Sequence, residues 1–194
     1  MFKSDVDIDV GDREQILKLI AHIPAIQQDN VRSRKHNTGI YVTDCPRDCL
    51  TNMASIDYQQ AEQRGYFKLD ILNVKLYAHI KTEAELIDLM KEPDWSNLED
   101  REFVSKLIHL GRHYDTIRQM PEPITSIARL SMMLSVIRPA KRHLIGLSWA
   151  EIARTIWDRP NDDSYHFKRS HAIAYSHLVI VNMNMLARGY DELE

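Results

Sequence analysis

Three carboxylates near the start of the chain alternate with apolar residues. The acids are Asp5, Asp7 and Asp9, and the apolar residues are Val6, Ile8 and Val10. A period of two is the period of a β-strand, so the acids share one face at a spacing of about 7 Å, and the apolar face is expected to be buried. Like charges this close repel each other, and a pair of divalent ions bound by carboxylate oxygens is a common reason to keep them. An exposed edge strand kept soluble by its acids is the alternative.

A second segment repeats this pattern. Lys68 and Asp70 lie on one side of a strand predicted at residues 66–71, and apolar residues occupy its other side. The lysine can meet a phosphate, or the two residues can form an ion pair on the surface of the strand. Carboxylates from two strands are the groups that hold paired divalent metals for nucleotidyl transfer, where the metals activate a hydroxyl and neutralise a triphosphate.

The elements that must position these side chains change character along the chain. Enrichment in β-branched and aromatic residues predicts a further strand at residues 39–43, and helical periodicity predicts a short helix at residues 13–22. Downstream, three pairs have the spacing of a capping box and mark helix starts: Thr82 with Glu85, Ser96 with Glu99, and Ser148 with Glu151. Longer helices are predicted at residues 124–137 and 170–187.

Together these elements predict an α+β fold with two subdomains. The first, residues 1–75, carries a small mixed sheet that contains the three predicted strands and bears the acidic face. The second, residues 76–194, is a helical lobe packed on the first. With 194 residues and 44% hydrophobic residues, the chain is long enough to bury a core.

Charge is segregated along the chain, although the net charge is only -3. Arg32 and Arg34 belong to a basic stretch at residues 31–47, and a second basic stretch spans residues 138–169. Two such stretches suit a protein that presents cations to phosphates, and solvated helix faces are the alternative. No apolar run approaches the length of a membrane span and no signal peptide is apparent, so a cytoplasmic protein without a membrane partner is expected.

Four motifs, in order, resemble the catalytic core of the C-family DNA polymerases, the alpha subunit of bacterial DNA polymerase III. They are Asp5-Val6-Asp7-Ile8-Asp9-Val10, Lys68-Leu69-Asp70-Ile71-Leu72, Ile137-Arg138-Pro139 and Phe167-Lys168-Arg169-Ser170-His171-Ala172-Ile173-Ala174-Tyr175. A fifth and weaker match is His36-Asn37-Thr38-Gly39-Ile40-Tyr41-Val42. The ordered set spans most of the chain.

This resemblance implies a polymerase-beta-like nucleotidyltransferase palm over residues 1–75 and a fingers-like lobe over residues 76–194. It implies that Asp7, Asp9 and Asp70 are catalytic and hold two Mg²⁺ or Mn²⁺ ions. The expected substrates are dNTP and a DNA primer-template. Their phosphates are expected to meet six cationic side chains, which are Lys68, Arg138, Lys168, Arg169, Arg32 and Arg34.

The chain also departs from the family pattern. Ala140-Lys141 stands where the family has Gly-Pro, and only residues 1–4 precede the acidic strand, where the family has a Gly-Ser-rich cradle for the triphosphate. Three functions remain open. One is a miniature or split DNA polymerase, phage-encoded and in the host cytoplasm, active alone or with a second polypeptide or other replication protein. The others are a non-catalytic DNA-binding or replication and transcription accessory protein, and a metal-dependent nuclease or other phosphodiesterase.

Overall fold

The computed structural model describes residues 5–29, 32–159 and 165–190. The chain divides into two compact units, with the boundary between Lys81 and Thr82. Within the described residues, the first unit contains a mixed sheet and the second is helical. The prediction of an α+β fold with a small mixed sheet is therefore confirmed.

The first unit consists of a four-stranded sheet with two α-helices in the described residues. Its elements are β1 (Asp5–Val10), α1 (Arg13–Leu19), β2 (Ile23–Gln28), β3 (Ser33–Tyr41), α2 (Tyr58–Gln63) and β4 (Lys68–Asn73), followed by a 3-10 helix (Lys75–His79). The strand order is β1-β4-β3-β2. β1 runs parallel to β4, while β3 runs antiparallel to both β4 and β2. The acidic strand β1 therefore forms one edge of the sheet.

The strand β2 was missed by the sequence analysis. The helix predicted at residues 13–22 ends at Leu19, and Ile20 is already extended with φ −119°. Pro24 lies within β2, although proline cannot donate a ladder hydrogen bond and is rare inside a sheet. β2 tolerates the proline because β2 is the last strand in the sheet order, so only one side of its backbone pairs with a neighbouring strand of the sheet.

A close backbone contact holds the turn after β1. A Cβ atom on Gly11 would lie 2.8 Å from the backbone nitrogen of Ala78 and 2.9 Å from its Cα. Next to this contact, the backbone N–H of Val74 donates to the carbonyl of Val10 at 2.8 Å. Position 11 therefore requires glycine, since the atoms that a side chain would meet belong to the backbone and cannot rotate away.

We expect Gly11→Ala to lower the free energy of unfolding of the first unit by roughly 1–3 kcal/mol, the usual cost of overpacking. Chemical denaturation followed by circular dichroism measures this loss. Lys75→Ala, an exposed change in the neighbouring 3-10 helix, is the control and should shift stability by no more than about 0.5 kcal/mol. An alanine variant as stable as the parent would show that the turn opens at little cost.

The second unit is built from short helices and one long one. Its helices are α3 (Glu83–Leu89), α4 (Arg101–Ser105), α5 (Tyr114–Arg118), α6 (Ile127–Val136), α7 (Trp149–Thr155) and α8 (Arg169–Ala187), with 3-10 helices at Trp95–Glu99 and Pro139–Leu144. α6 packs against α8, where the hydroxyls of Ser131 and Ser176 form a buried hydrogen bond of 2.8 Å. None of the described helices has a stretch long and apolar enough to traverse a membrane.

Two of the three predicted helix starts are confirmed. Thr82 caps α3, and Ser148 forms a capping box with Glu151 at the start of α7. The prediction for Ser96 is wrong, because Asp94 caps the helical turn there and its carboxylate accepts from the Ser96 N–H at 3.0 Å. An aspartate two residues earlier satisfies the free backbone donors of this turn first.

Candidate functional site

Asp7 and Asp70 lie side by side on neighbouring strands. β1 and β4 are parallel, and Asp7 is the register partner of Asp70. Residues paired in this way point to the same face of a sheet, and neighbouring strands lie about 4.8 Å apart. Asp9 is two residues along β1, so it shares that face. The sheet therefore gathers the three predicted carboxylates on one surface, which we call the acidic face.

The opposite face of β1 is less buried than predicted. Val6 is 45% exposed and Ile8 is 38% exposed, whereas Ile71 on the neighbouring strand β4 is only 2% exposed. The prediction of a buried apolar face is therefore wrong for Val6 and Ile8. The reason is position in the sheet, because β1 is an edge strand and β4 lies inside the sheet.

Two groups on or near the acidic face, Asp9 and Tyr77, have raised pKa values. Burial, and then the negative charge of Asp7, raise the pKa of the Asp9 carboxyl above its usual value. Burial and the charge of Asp9 likewise raise the pKa of Tyr77 to about 12. Both shifts oppose the accumulation of negative charge. A cation bound on this face would relieve the repulsion between the two aspartates.

Asp70 is the buried member of the face. It is 7% exposed, its Oδ1 accepts a hydrogen bond from the Thr38 hydroxyl at 2.7 Å, and its Oδ2 pairs with the ammonium group of Lys68. Both side chains of this ion pair are 11% exposed, and the ring of Tyr58 lies near the ammonium, 5.9 Å from its centroid. Lys68 and Asp70 therefore do form the same-strand ion pair that was the alternative, and the pair is mostly buried instead of lying on the surface.

A bulge in β3 brings further polar groups to Asp70. The pairing with β2 shifts register between Pro24 and Ile26, which leaves residues 36–39 of β3 without ladder partners on β2. Within the bulge, Nδ1 of His36 lies 3.8 Å from Oδ1 of Asp70. Burial, followed by the positive charge of Lys68, lowers the pKa of the His36 imidazole.

Gly39 allows this cluster to assemble. A Cβ atom at this position would lie 2.9 Å from Cδ of Lys68, 3.0 Å from Nδ1 of His36 and 3.2 Å from Cβ of Ala25. His36 and Thr38 were not predicted as site residues. The signal that could have found His36 is the fifth motif, in which this histidine stands three residues before Gly39, whereas nothing in the sequence singles out Thr38.

The predicted phosphate-binding arginines of the first unit lie on another part of the sheet. Arg32 and Arg34 are exposed at the hairpin between β2 and β3. The residues of β3 that pair with β4 are Gly39 and Ile40. Arg32 and Arg34 are therefore outside the part of this hairpin that pairs with β4. Arg34 is 3.7 Å from Asp29 in an exposed ion pair.

The other predicted cations belong to the second unit. The guanidinium of Arg138 lies 3.9 Å from the centroid of the Phe167 ring, directly before the start of α8. Burial lowers the pKa of this guanidinium. Lys168 and Arg169 are exposed at the first turn of α8. Lys141, which departs from the family pattern, is 5% exposed and donates to the carbonyl of Thr155 at 2.7 Å, so it serves packing.

The acidic face can be tested for its fit to a divalent metal. Carboxylates are the donors that Mg²⁺ and Mn²⁺ prefer, and Asp7, Asp9 and Asp70 share one face in the required register. Lys68 already occupies the position of a cation beside Asp70. Among the described residues, no group of three or more His, Cys, Asp or Glu side chains is arranged to hold a metal ion. The three carboxylates therefore fit a divalent metal in donor type and share one face, but as placed they do not form a metal-binding group, and Asp70 is paired with Lys68.

A cavity of about 570 Å³ lies where β2 begins and β3 ends. Its lining includes Ile23, Tyr41, Cys45 and Tyr66, and none of the predicted site residues.

Comparison of the chain with protein-family models, with curated proteins and with solved structures gives no match.

Proposed function

We propose that the chain is a DNA polymerase-like nucleotidyltransferase, a miniature or split core of the C-family type. In this proposal the sheet of the first unit is the palm and the helical unit is the fingers. The observation that carries the proposal is the register of Asp7 with Asp70. Carboxylates fixed side by side on neighbouring strands, with Asp9 on the same face, are the donors that two-metal phosphoryl transfer uses.

The proposal gives each site residue a role. Asp7, Asp9 and Asp70 hold Mg²⁺ or Mn²⁺, which when bound supplies activation of the primer hydroxyl and neutralisation of charge on the triphosphate. Lys68 stabilises Asp70 before substrate binds and then exchanges this carboxylate for a phosphate oxygen of the nucleotide.

Phosphate contacts to nucleotide and DNA come from the arginines and lysines outside the acidic face. Those residues are Arg32, Arg34, Arg138, Lys168 and Arg169. The guanidinium group suits these contacts because its planar fork matches two phosphate oxygens at once. Arg138 is the most constrained of the five, since its guanidinium is partly buried against Phe167.

A non-catalytic DNA-binding or replication accessory protein is the second candidate. It is favoured by the ion pair of Lys68 with Asp70, which already neutralises one of the three acids without a metal. In this case the exposed cations bind the DNA backbone, and affinity falls steeply as salt rises. DNA binding would then survive removal of divalent metals.

A primer-template assay distinguishes the two candidates. The chain is incubated with dNTP and either Mg²⁺ or Mn²⁺, alone and with the product of a neighbouring gene, and a gel-shift assay is run in EDTA. Metal-dependent extension in either setting supports the polymerase. A DNA shift in EDTA without extension under any of these conditions supports the accessory protein and overturns the first proposal.

A further inference from the structure

We propose that His36 is a substrate-binding residue of the acidic face, and that its Nε2–H donates a hydrogen bond to a phosphate oxygen of a metal-bound nucleoside triphosphate. This inference rests on the proposed function and adds a residue to the same site.

The hydrogen bonds of His36 determine which ring nitrogen carries the proton. Nδ1 faces two backbone donors, the N–H of Gly39 at 2.9 Å and the N–H of Thr38 at 3.3 Å. A ring nitrogen that accepts hydrogen bonds has no proton of its own, so the proton of the neutral imidazole is on Nε2. The bulge therefore presents Nε2 of His36 as a donor.

This donor is oriented, and it belongs to a side chain that is partly exposed. Among the described residues, Nε2 of His36 has no hydrogen-bond partner, and the side chain is 20% exposed. The ring also meets the ring of Tyr58 edge to face, with 5.1 Å between centroids and 65° between planes. A donor held in this way loses little freedom when it binds an oxyanion, which is the condition for strong electrostatic binding.

The charges around His36 select the class of ligand. Lys68 and Arg13 place positive charge near the His36 ring, and a phosphate oxygen accepts a stronger hydrogen bond than a neutral group does. The carboxylates of Asp70 and Asp57 near the ring, with Asp7 and Asp9 on the same face of the sheet, repel a bare anion. A ligand that satisfies both conditions carries its own divalent cation on its phosphates, as Mg²⁺-bound nucleoside triphosphates do.

Two variants separate substrate contact from a purely structural role. In His36→Asn, Oδ1 takes the place of Nδ1 as the acceptor for the Gly39 N–H, but the donor at Nε2 is lost. In His36→Gln, the amide NH₂ takes the place of the Nε2 donor, but the acceptor for Gly39 is lost. His22→Asn is the matched control, because His22 contacts the carbonyl of Ile20 and lies outside the acidic face.

The affinity of each protein for dATP with Mg²⁺, without primer, is measured by titration calorimetry, together with the denaturation midpoint. We expect His36→Asn to bind dATP about tenfold more weakly with a midpoint close to that of the parent. We expect His36→Gln to retain most of the affinity and to lose stability. In primer extension, the loss in His36→Asn should appear in KM rather than in kcat.

Other outcomes overturn the inference in distinguishable ways. Full dATP affinity in His36→Asn, or a proton found on Nδ1 of His36 in long-range ¹H–¹⁵N spectra, shows that the ring is only structural, while primer extension by the parent leaves the proposed function standing. A parent that neither binds dATP nor extends a primer overturns both the inference and the proposed function.

Discussion

Asp7→Asn is expected to reduce metal-dependent primer extension by roughly a thousandfold, because a metal contributes several kcal/mol of charge stabilisation in the transition state and each ~1.4 kcal/mol changes the rate tenfold. Asp7 is exposed, so the neutral amide is tolerated. Burial is the main cause of the raised pKa of Asp9 and remains in the variant, but the substitution removes the second cause, the charge of Asp7, so that pKa should fall part of the way. Steady-state extension rates measure the first effect, and an NMR pH titration of the Asp9 carboxyl measures the second.

Asp7 is a better test of the metal site than Asp70. Asp70→Asn would also remove the partner of the buried Lys68 ammonium, so lost activity could reflect lost structure. Glu14→Gln is the matched control, because Glu14 is an exposed acid in α1 of the same unit. The Glu14→Gln protein should extend primers at the rate of the parent. Equal extension rates for Asp7→Asn and the parent would overturn the assignment of Asp7 as a metal ligand.

Lys68→Met is expected to lower the free energy of unfolding of the first unit by about 3–5 kcal/mol, the cost of breaking a buried ion pair from one side. The carboxylate of Asp70, 7% exposed, would keep the Thr38 hydroxyl but lose its cation. Methionine fills much of the volume of the lysine stem, so the loss measures charge more than packing. Denaturant titration followed by circular dichroism gives the value.

Two further variants identify the cause of this loss. Arg34→Met breaks an exposed pair, with side chains 67% and 65% exposed, and should cost no more than about 1 kcal/mol. Lys68→Met combined with Asp70→Asn should recover part of the loss, because a neutral amide no longer buries an uncompensated charge. A Lys68→Met protein as stable as Arg34→Met would mean that water reaches the pair and screens it.

Much of the sheet could be predicted from local patterns. Alternation of acids and apolar residues predicted β1, and alternation at residues 66–71 predicted β4, which the structure places two residues later at Lys68–Asn73. The period of two is readable because it is a property of the backbone alone. The long final helix was predicted to within a residue, as residues 170–187 against Arg169–Ala187. The capping box at Ser148 was likewise readable, since its partners are three residues apart.

The sequence by itself determined which residues alternate, which helices are capped and that Asp7 and Asp9 share a face. Only the tertiary structure decided that β1 lies beside β4 with Asp7 opposite Asp70, that β1 is an edge strand with Val6 and Ile8 exposed, and that a bulge turns His36 and Thr38 toward Asp70. The physical reason is the separation along the chain between the residues that determine each feature. Periodicity and capping depend on neighbours a few residues apart, whereas strand order, register and burial depend on contacts between segments that are far apart in the chain.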